Sequence, residues 1–154
     1  MREVRGSFRG EGKKIAILAS NFNEAVSKQL VEGCIDTLKK CGVEDENISL
    51  FWVPGAYELP VVSRRLCSSK KYDALICLGA IIRGDTPHFE YIASSVFRAL
   101  GSISQETGTP VVLGVITAES QEQALERAGL KQGNKGRESA LSALELIDLL
   151  SQIK

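Results

Sequence analysis

Histidine occurs once in the sequence, at His88. It closes the run Gly79-Ala80-Ile81-Ile82-Arg83-Gly84-Asp85-Thr86-Pro87-His88, which leaves an apolar strand pattern and enters a helical one. Thr86 followed by Pro87 is a strong helix start, with Thr as N-cap and Pro at the first helical position. That reading puts His88 in the first turn. Free N–H groups and the positive end of the helix dipole there favour an anion such as phosphate and a neutral imidazole able to accept a proton. The ordinary reading of a lone histidine is a surface or core residue; its place at a strand–helix switch raises the catalytic one to equal weight. Asp85 complicates the picture, because its charge is unfavourable beside a phosphate.

Three more groups could do chemistry. Val53-Pro54-Gly55-Ala56-Tyr57-Glu58 brings a carboxylate to the start of a helix, where Glu58 either complements the dipole or accepts hydrogen bonds from ligand hydroxyls. Phe22, between Asn21 and Asn23, is an aromatic in a polar loop; a hydrophobic staple for the following helix is the first reading, a stacking face for a planar heterocycle the second. Arg127 lies near a helix C-terminus, which the dipole alone explains, although a guanidinium there can also clamp a phosphate bidentately.

The elements that must position these residues alternate between β-rich and helical patterns. Ile15–Ser20, Ile48–Val53, Ala74–Leu78 and Val111–Thr117 read as buried strands. Ala25–Cys41 carries Val26, Leu30, Cys34 and Leu38 on one helical face and stops at Gly42. Tyr57–Ser69 reads as a helix with Pro60 in its first turn, and His88–Glu106 as a long helix. Ser120-Gln121-Glu122-Gln123 has the form of a capping box, and Gly129 can end the helix it starts. After the short segment Gly129–Gly136 a last helix carries a stripe of Ala140, Leu144, Ile147 and Leu150. Strands alternating with helices predict a three-layer αβα sandwich around a four-stranded parallel sheet, flavodoxin-like in type. Ligands of such sheets sit at the carboxyl ends of the strands, here Ser20–Asn23, Val53–Glu58, Gly79–His88 and Thr117–Ser120. The first 14 residues fit neither pattern and read as a disordered end or an arm that adds to a neighbour.

Composition narrows the function classes. The 154 residues suit one domain, 44% are hydrophobic and 25% charged, and 19 basic residues balance 19 acidic ones. Zero net charge disfavours a nucleic-acid binder that works by phosphate neutralisation. No apolar run approaches the roughly 20 residues of a membrane span, and the start lacks a signal-peptide core, which points to the cytoplasm. Cys34, Cys41, Cys67 and Cys77 form no C-x-x-C pair and read as small hydrophobes in a reducing compartment, not as zinc ligands. A P-loop, a G-x-G-x-x-G dinucleotide turn and a G-x-S-x-G elbow are all missing, as is the phosphate loop of an FMN electron carrier.

Taken together, Asn21-Phe22-Asn23, Val53 to Pro60, Leu78 to His88, and Glu126-Arg127-Ala128-Gly129 followed by Gly133-Asn134-Lys135-Gly136 resemble the 6,7-dimethyl-8-ribityllumazine synthases over almost the whole chain. Each motif alone is weak; all four in order are specific. The resemblance implies condensation of 5-amino-6-(D-ribitylamino)uracil with 3,4-dihydroxy-2-butanone 4-phosphate, the penultimate step of riboflavin synthesis, without a cofactor. It implies that Phe22 stacks on the pyrimidine, that Ala56, Tyr57 and Glu58 hold the ribityl chain, and that Ala80, Ile81 and Ile82 line the pyrimidine pocket. Asp85 and Thr86 would meet the phosphate, His88 would shuttle protons, and Arg127 would reach the phosphate from a neighbouring subunit. Leu113 stands where the family often has an aromatic ring beside the pyrimidine, giving up stacking worth about 0.5–1.5 kcal/mol. Asn21 replaces a common arginine. The resemblance further implies homopentamers. Some members close twelve of these into a 60-subunit shell, which the short Gly129–Gly136 segment favours, and association with riboflavin synthase is compatible with it. The N-terminal arm would then pair with an adjacent subunit's sheet edge. The competing reading is a non-catalytic flavin- or lumazine-binding shell protein, which would need neither His88 nor Arg127.

Overall fold

The computed structural model describes every residue except Thr86, 130–132 and Lys154, and the side chain of Asp85. Four strands, β1 (Ile15–Ser20), β2 (Ile48–Val53), β3 (Ala74–Ile82) and β4 (Val111–Ala118), form one parallel sheet in the order β2-β1-β3-β4. Helices α1 (Glu24–Lys40), α4 (Gln121–Arg127) and α5 (Lys135–Ser151) cover one face, and α2 (Leu59–Ser69) and α3 (Phe89–Thr107) the other. This is the three-layer, flavodoxin-like α/β fold that the alternating pattern predicts.

Alternation along each strand feeds two cores. Ile15, Ile17 and Ala19 meet Val26, Leu30 and Cys34 of α1, while Ala16 and Leu18 face Leu59 of α2 and Leu100 of α3. The central strands β1 and β3 are buried along their whole length, which is why they read as unbroken apolar runs.

Two boundaries and one apolar stripe differ most from the sequence reading. β3 continues through Gly79 to Ile82, pairing with β4 as far as Ala118. Gly79 does not end the strand: a Cβ there would stand 2.7 Å from the Ser20 Cβ, so the glycine lets β1 and β3 pack closely. A 3₁₀ turn, Arg83–Asp85, follows, and α3 starts at Phe89 with His88 as N-cap. Pro87 therefore precedes the helix, and Thr86, expected to cap it, lies outside the described residues. At the start of the helix the Arg83 guanidinium lies 4.7 Å from the Phe89 ring centroid and pairs with Glu90. Finally, Leu150 is exposed, so the α5 stripe is buried only at Ala140 and Leu144, with Ile147 partly covered.

Other signals hold. Pro60 sits in the first turn of α2, Gly42 and Gly129 follow the ends of α1 and α4 with positive φ, and the Ser120 hydroxyl accepts from Gln123 N at 3.1 Å. The Gln123 side chain returns to the N–H of Glu119 at 2.8 Å, one residue ahead of the usual capping-box partner. Residues 1–14 carry no helix or strand and run along their own chain, with Ser7 N donating to Asp148 Oδ2 at 2.8 Å and Gly10 N to Cys41 O at 2.9 Å. The β2 edge keeps Leu50 and Trp52 exposed.

The α1–α5 crossing depends on a glycine. A Cβ on Gly136 would collide with the Leu30 carbonyl and lie 2.9 Å from Asn134 Oδ1. Gly136→Ala should lower stability by about 1–3 kcal/mol, read as a shifted urea midpoint at unchanged slope.

The thiols behave as packing. Burial pushes Cys34 up to about 12 and, despite a 3.4 Å contact with the Ser63 hydroxyl, Cys77 up to about 12 as well. The folded state thus holds protons that the unfolded chain releases above the ordinary value of 9.0. Their contribution to stability is complete below that value and is lost as pH rises toward 12. Urea midpoints should fall between about pH 8 and about pH 10.5, and iodoacetamide at about pH 8 should label half-buried Cys41 ahead of Cys34, Cys67 and Cys77. Early labelling of Cys34 or Cys77 would contradict that order.

Candidate active site

The strand order reverses between β1 and β3, and ligands of open parallel sheets bind at such a point. A cavity of about 200 Å³ lies there, at the carboxyl ends of β1, β2 and β3.

Each wall follows from the chain leaving a strand. After β1, Asn21 N donates to Val53 O at 2.7 Å and Phe22 N to Pro54 O at 3.0 Å, extending the β1–β2 ladder and fixing the Phe22 backbone over the cavity. Asn23 then takes a left-handed conformation, φ 64°, which asparagine tolerates better than most residues. Phe22 is 57% exposed and lines the cavity. It is no staple: with Asn23 as N-cap the partner position is Ser27, a polar residue, so the first sequence reading of Phe22 fails.

After β2, Gly55 and the 3₁₀ turn Ala56–Glu58 form the second wall. Glu58 is the N-cap of α2 without a side-chain capping bond, and a Cβ on Gly55 would stand 3.2 Å from its Oε1. The glycine thus leaves room for the carboxylate to fold over the turn, so Glu58 is not spent on its own helix. The third wall is Ala80, Ile81 and Ile82 at the end of β3, closed by Ile92 from α3.

Of the residues singled out in the sequence, Phe22, Ala56, Tyr57, Glu58, Ala80, Ile81 and Ile82 come together around this cavity. Leu113, Arg127 and His88 are not among its lining residues. Leu113 is 36% exposed on edge strand β4, level with Cys77. Arg127 ends α4 with its Nη1 donating to Thr117 O at 2.7 Å. His88 is exposed, its carbonyl accepting the first bond of α3 from Ile92 N at 2.9 Å.

Sequence reasoning missed Asn23, Gly55 and Ile92 in the lining. Ile92, four residues after His88, shares its side of α3, a spacing that could have revealed it. It also missed Arg83, which donates from Nε to Glu119 Oε2 at 2.8 Å and from Nη1 to Glu90 Oε1 at 3.4 Å, tying the end of β3 to α3 and to the loop after β4.

A flavodoxin-like sheet with a mostly apolar cleft at its topological switch, one carboxylate at the rim and backbone groups along one wall, defines a doubly wound α/β protein built for a small molecule. Residues 12–151 match the 6,7-dimethyl-8-ribityllumazine synthase family, so the chain belongs to that family. It is a transferase-type family of riboflavin biosynthesis whose members act on small molecules. Among the described residues no helix is long and apolar enough to cross a membrane.

Proposed function

We propose that the protein condenses 5-amino-6-(D-ribitylamino)uracil with 3,4-dihydroxy-2-butanone 4-phosphate, releasing 6,7-dimethyl-8-ribityllumazine, phosphate and water. The observation that carries this reading is the cavity itself, where an exposed aromatic ring, a carboxylate held off its own helix and the backbone at the end of β3 converge in a member of this family.

The pyrimidine stacks on Phe22 and lies along Ala80, Ile81 and Ile82, where main-chain groups recognise its edge. Glu58, with Ala56 and Tyr57, receives the ribityl hydroxyls. The amine attacks the ketone, water leaves to give an imine, phosphate is eliminated, and the second nitrogen attacks the remaining carbonyl and closes the ring with loss of a second water. Every step moves protons and none changes the overall oxidation level, so no redox cofactor is required. His88 carries those protons. Arg127 and the turn at Asp85 and Thr86 take the phosphate.

Leu113 and Arg127, which like His88 lie outside the cavity of their own chain, complete the site of a neighbouring subunit in this reading. We assign the chain to a homopentamer, with the short connector before α5 favouring closure into a 60-subunit shell. The arm is held to its own chain by Ser7 and Gly10, so pairing with an adjacent copy's sheet edge would require it to leave those contacts, and riboflavin synthase is the associate that this product suggests. Free, buried thiols suit the cytoplasm.

The test is an absorbance assay of lumazine formation against the uncatalysed background. A rate above background, lost when either substrate is omitted, supports the synthase. A background rate from assembled protein rejects it in favour of a binding or shell role.

A further inference from the structure

The motif Gly133-Asn134-Lys135-Gly136 has no role in the reaction as described, yet Asn134 joins three helices. Its Oδ1 caps α5 by accepting from Arg137 N at 3.1 Å. Its Nδ2 donates to Gln29 O of α1 at 3.1 Å and to Ala128 O, the C-cap residue of α4, at 2.9 Å. Gly33 makes space for this group, since a Cβ there would lie 2.5 Å from the carboxamide.

Capping alone does not require asparagine, because Asp and Ser serve as well. Only a carboxamide also supplies two N–H donors to the carbonyls it faces. Those donors hold the end of α4, a helix of 7 residues, too short to keep its geometry without tertiary support. Arg127 is the last residue of that helix and directly precedes Ala128. Its head is held at Thr117 O, while its backbone is held through Ala128 by Asn134.

We propose that Asn134 is a positioning residue that sets Arg127 for the phosphate group of the substrate. This rests on the reading of Arg127 as a phosphate ligand. Asn134 touches no substrate; it acts through the end of α4.

The test compares Asn134→Asp and Asn134→Ser, both of which keep a cap acceptor, with Ser104→Ala. Ser104 bonds Thr109 O and Val111 N at the opposite end of β4, so its loss removes a comparable pair of bonds away from the site. Two quantities are read on assembled protein: KM for each substrate, and Kd for inorganic phosphate by calorimetry. In the Asn134 variants, KM for the butanone phosphate and Kd for phosphate should both rise about tenfold, below the 10²-fold that a 1 Å misplacement can cost. KM for the pyrimidine should hold, and Ser104→Ala should change neither substrate selectively. If Asn134→Asp does not assemble, Asn134→Ser carries the comparison. Equal rises in both KM values, no change in either, or the same pattern in Ser104→Ala would overturn the proposal. If the unaltered protein forms no lumazine but binds phosphate, and Asn134→Ser weakens that binding, the reaction is wrong and the positioning role stands. Absence of phosphate binding by the unaltered protein overturns both.

Discussion

His88→Ala lowers kcat by about 10²–10⁴-fold, the range lost when a general acid–base group is removed, and leaves a rate above the uncatalysed background. The residual rate is as informative as the loss. Two reactants held in one cleft already gain about 7–11 kcal/mol from proximity and orientation. Phe22, Glu58 and the end of β3 survive the substitution, so that gain survives with them.

The ring of His88 is exposed, with its centroid 6.5 Å from that of Tyr91, so no core packing goes with it. Its part in starting α3 is played by its carbonyl, which alanine also has. The melting temperature should move by less than about 2 °C, in keeping with a surface substitution of within about 0.5 kcal/mol. Added imidazole should restore part of the rate. An unchanged rate would remove His88 from the mechanism, and complete inactivity of a folded, assembled variant would overturn the expectation that proximity alone sustains turnover.

What the sequence makes legible here follows from where the information lies. β1 falls on its expected residues because a buried parallel strand writes its burial directly as an apolar run; β2 also falls on its expected residues, but as a half-exposed edge strand and not the buried one expected. Gly79 misled because its reason is the Ser20 side chain, 59 residues away in the chain. The start of α3 falls at Phe89, after the Thr-Pro signal, with His88 as N-cap. Phe22 was legible as an aromatic out of place, but only the position of the N-cap at Asn23 rejects the staple, by setting Ser27 opposite it. Seven residues of the cavity were found through motifs at strand ends; Ile92 was not, because an isoleucine on a helix face looks like core. Asn134 stood in a motif whose type gave no sign that its carboxamide reaches Gln29 and Ala128.

Arg127→Ala raises KM for the butanone phosphate by about 10- to 150-fold, the equivalent of roughly 1.5–3 kcal/mol for hydrogen bonds to a charged group. KM for the pyrimidine should stay within about twofold, because discrimination arises only where the contact is lost. The bond from Nη1 to Thr117 O pre-orients a planar group with five donors, so less freedom is lost when it meets a phosphate. Arg127→Lys keeps the charge without the bidentate fork and should fall between the two. The location of the residue adds a second arm. Arg127, like Leu113 and His88, is absent from the lining of its own chain's cavity, and the proposed reading gives it the phosphate of an adjacent copy. Co-expression of His88→Ala chains with Arg127→Ala chains tests this directly. If the two residues come from different subunits, random mixing in a ring leaves about one quarter of the junctions with both intact, and activity returns in that proportion. If Arg127 serves its own chain, no mixed site is whole and the mixture is no more active than its parts.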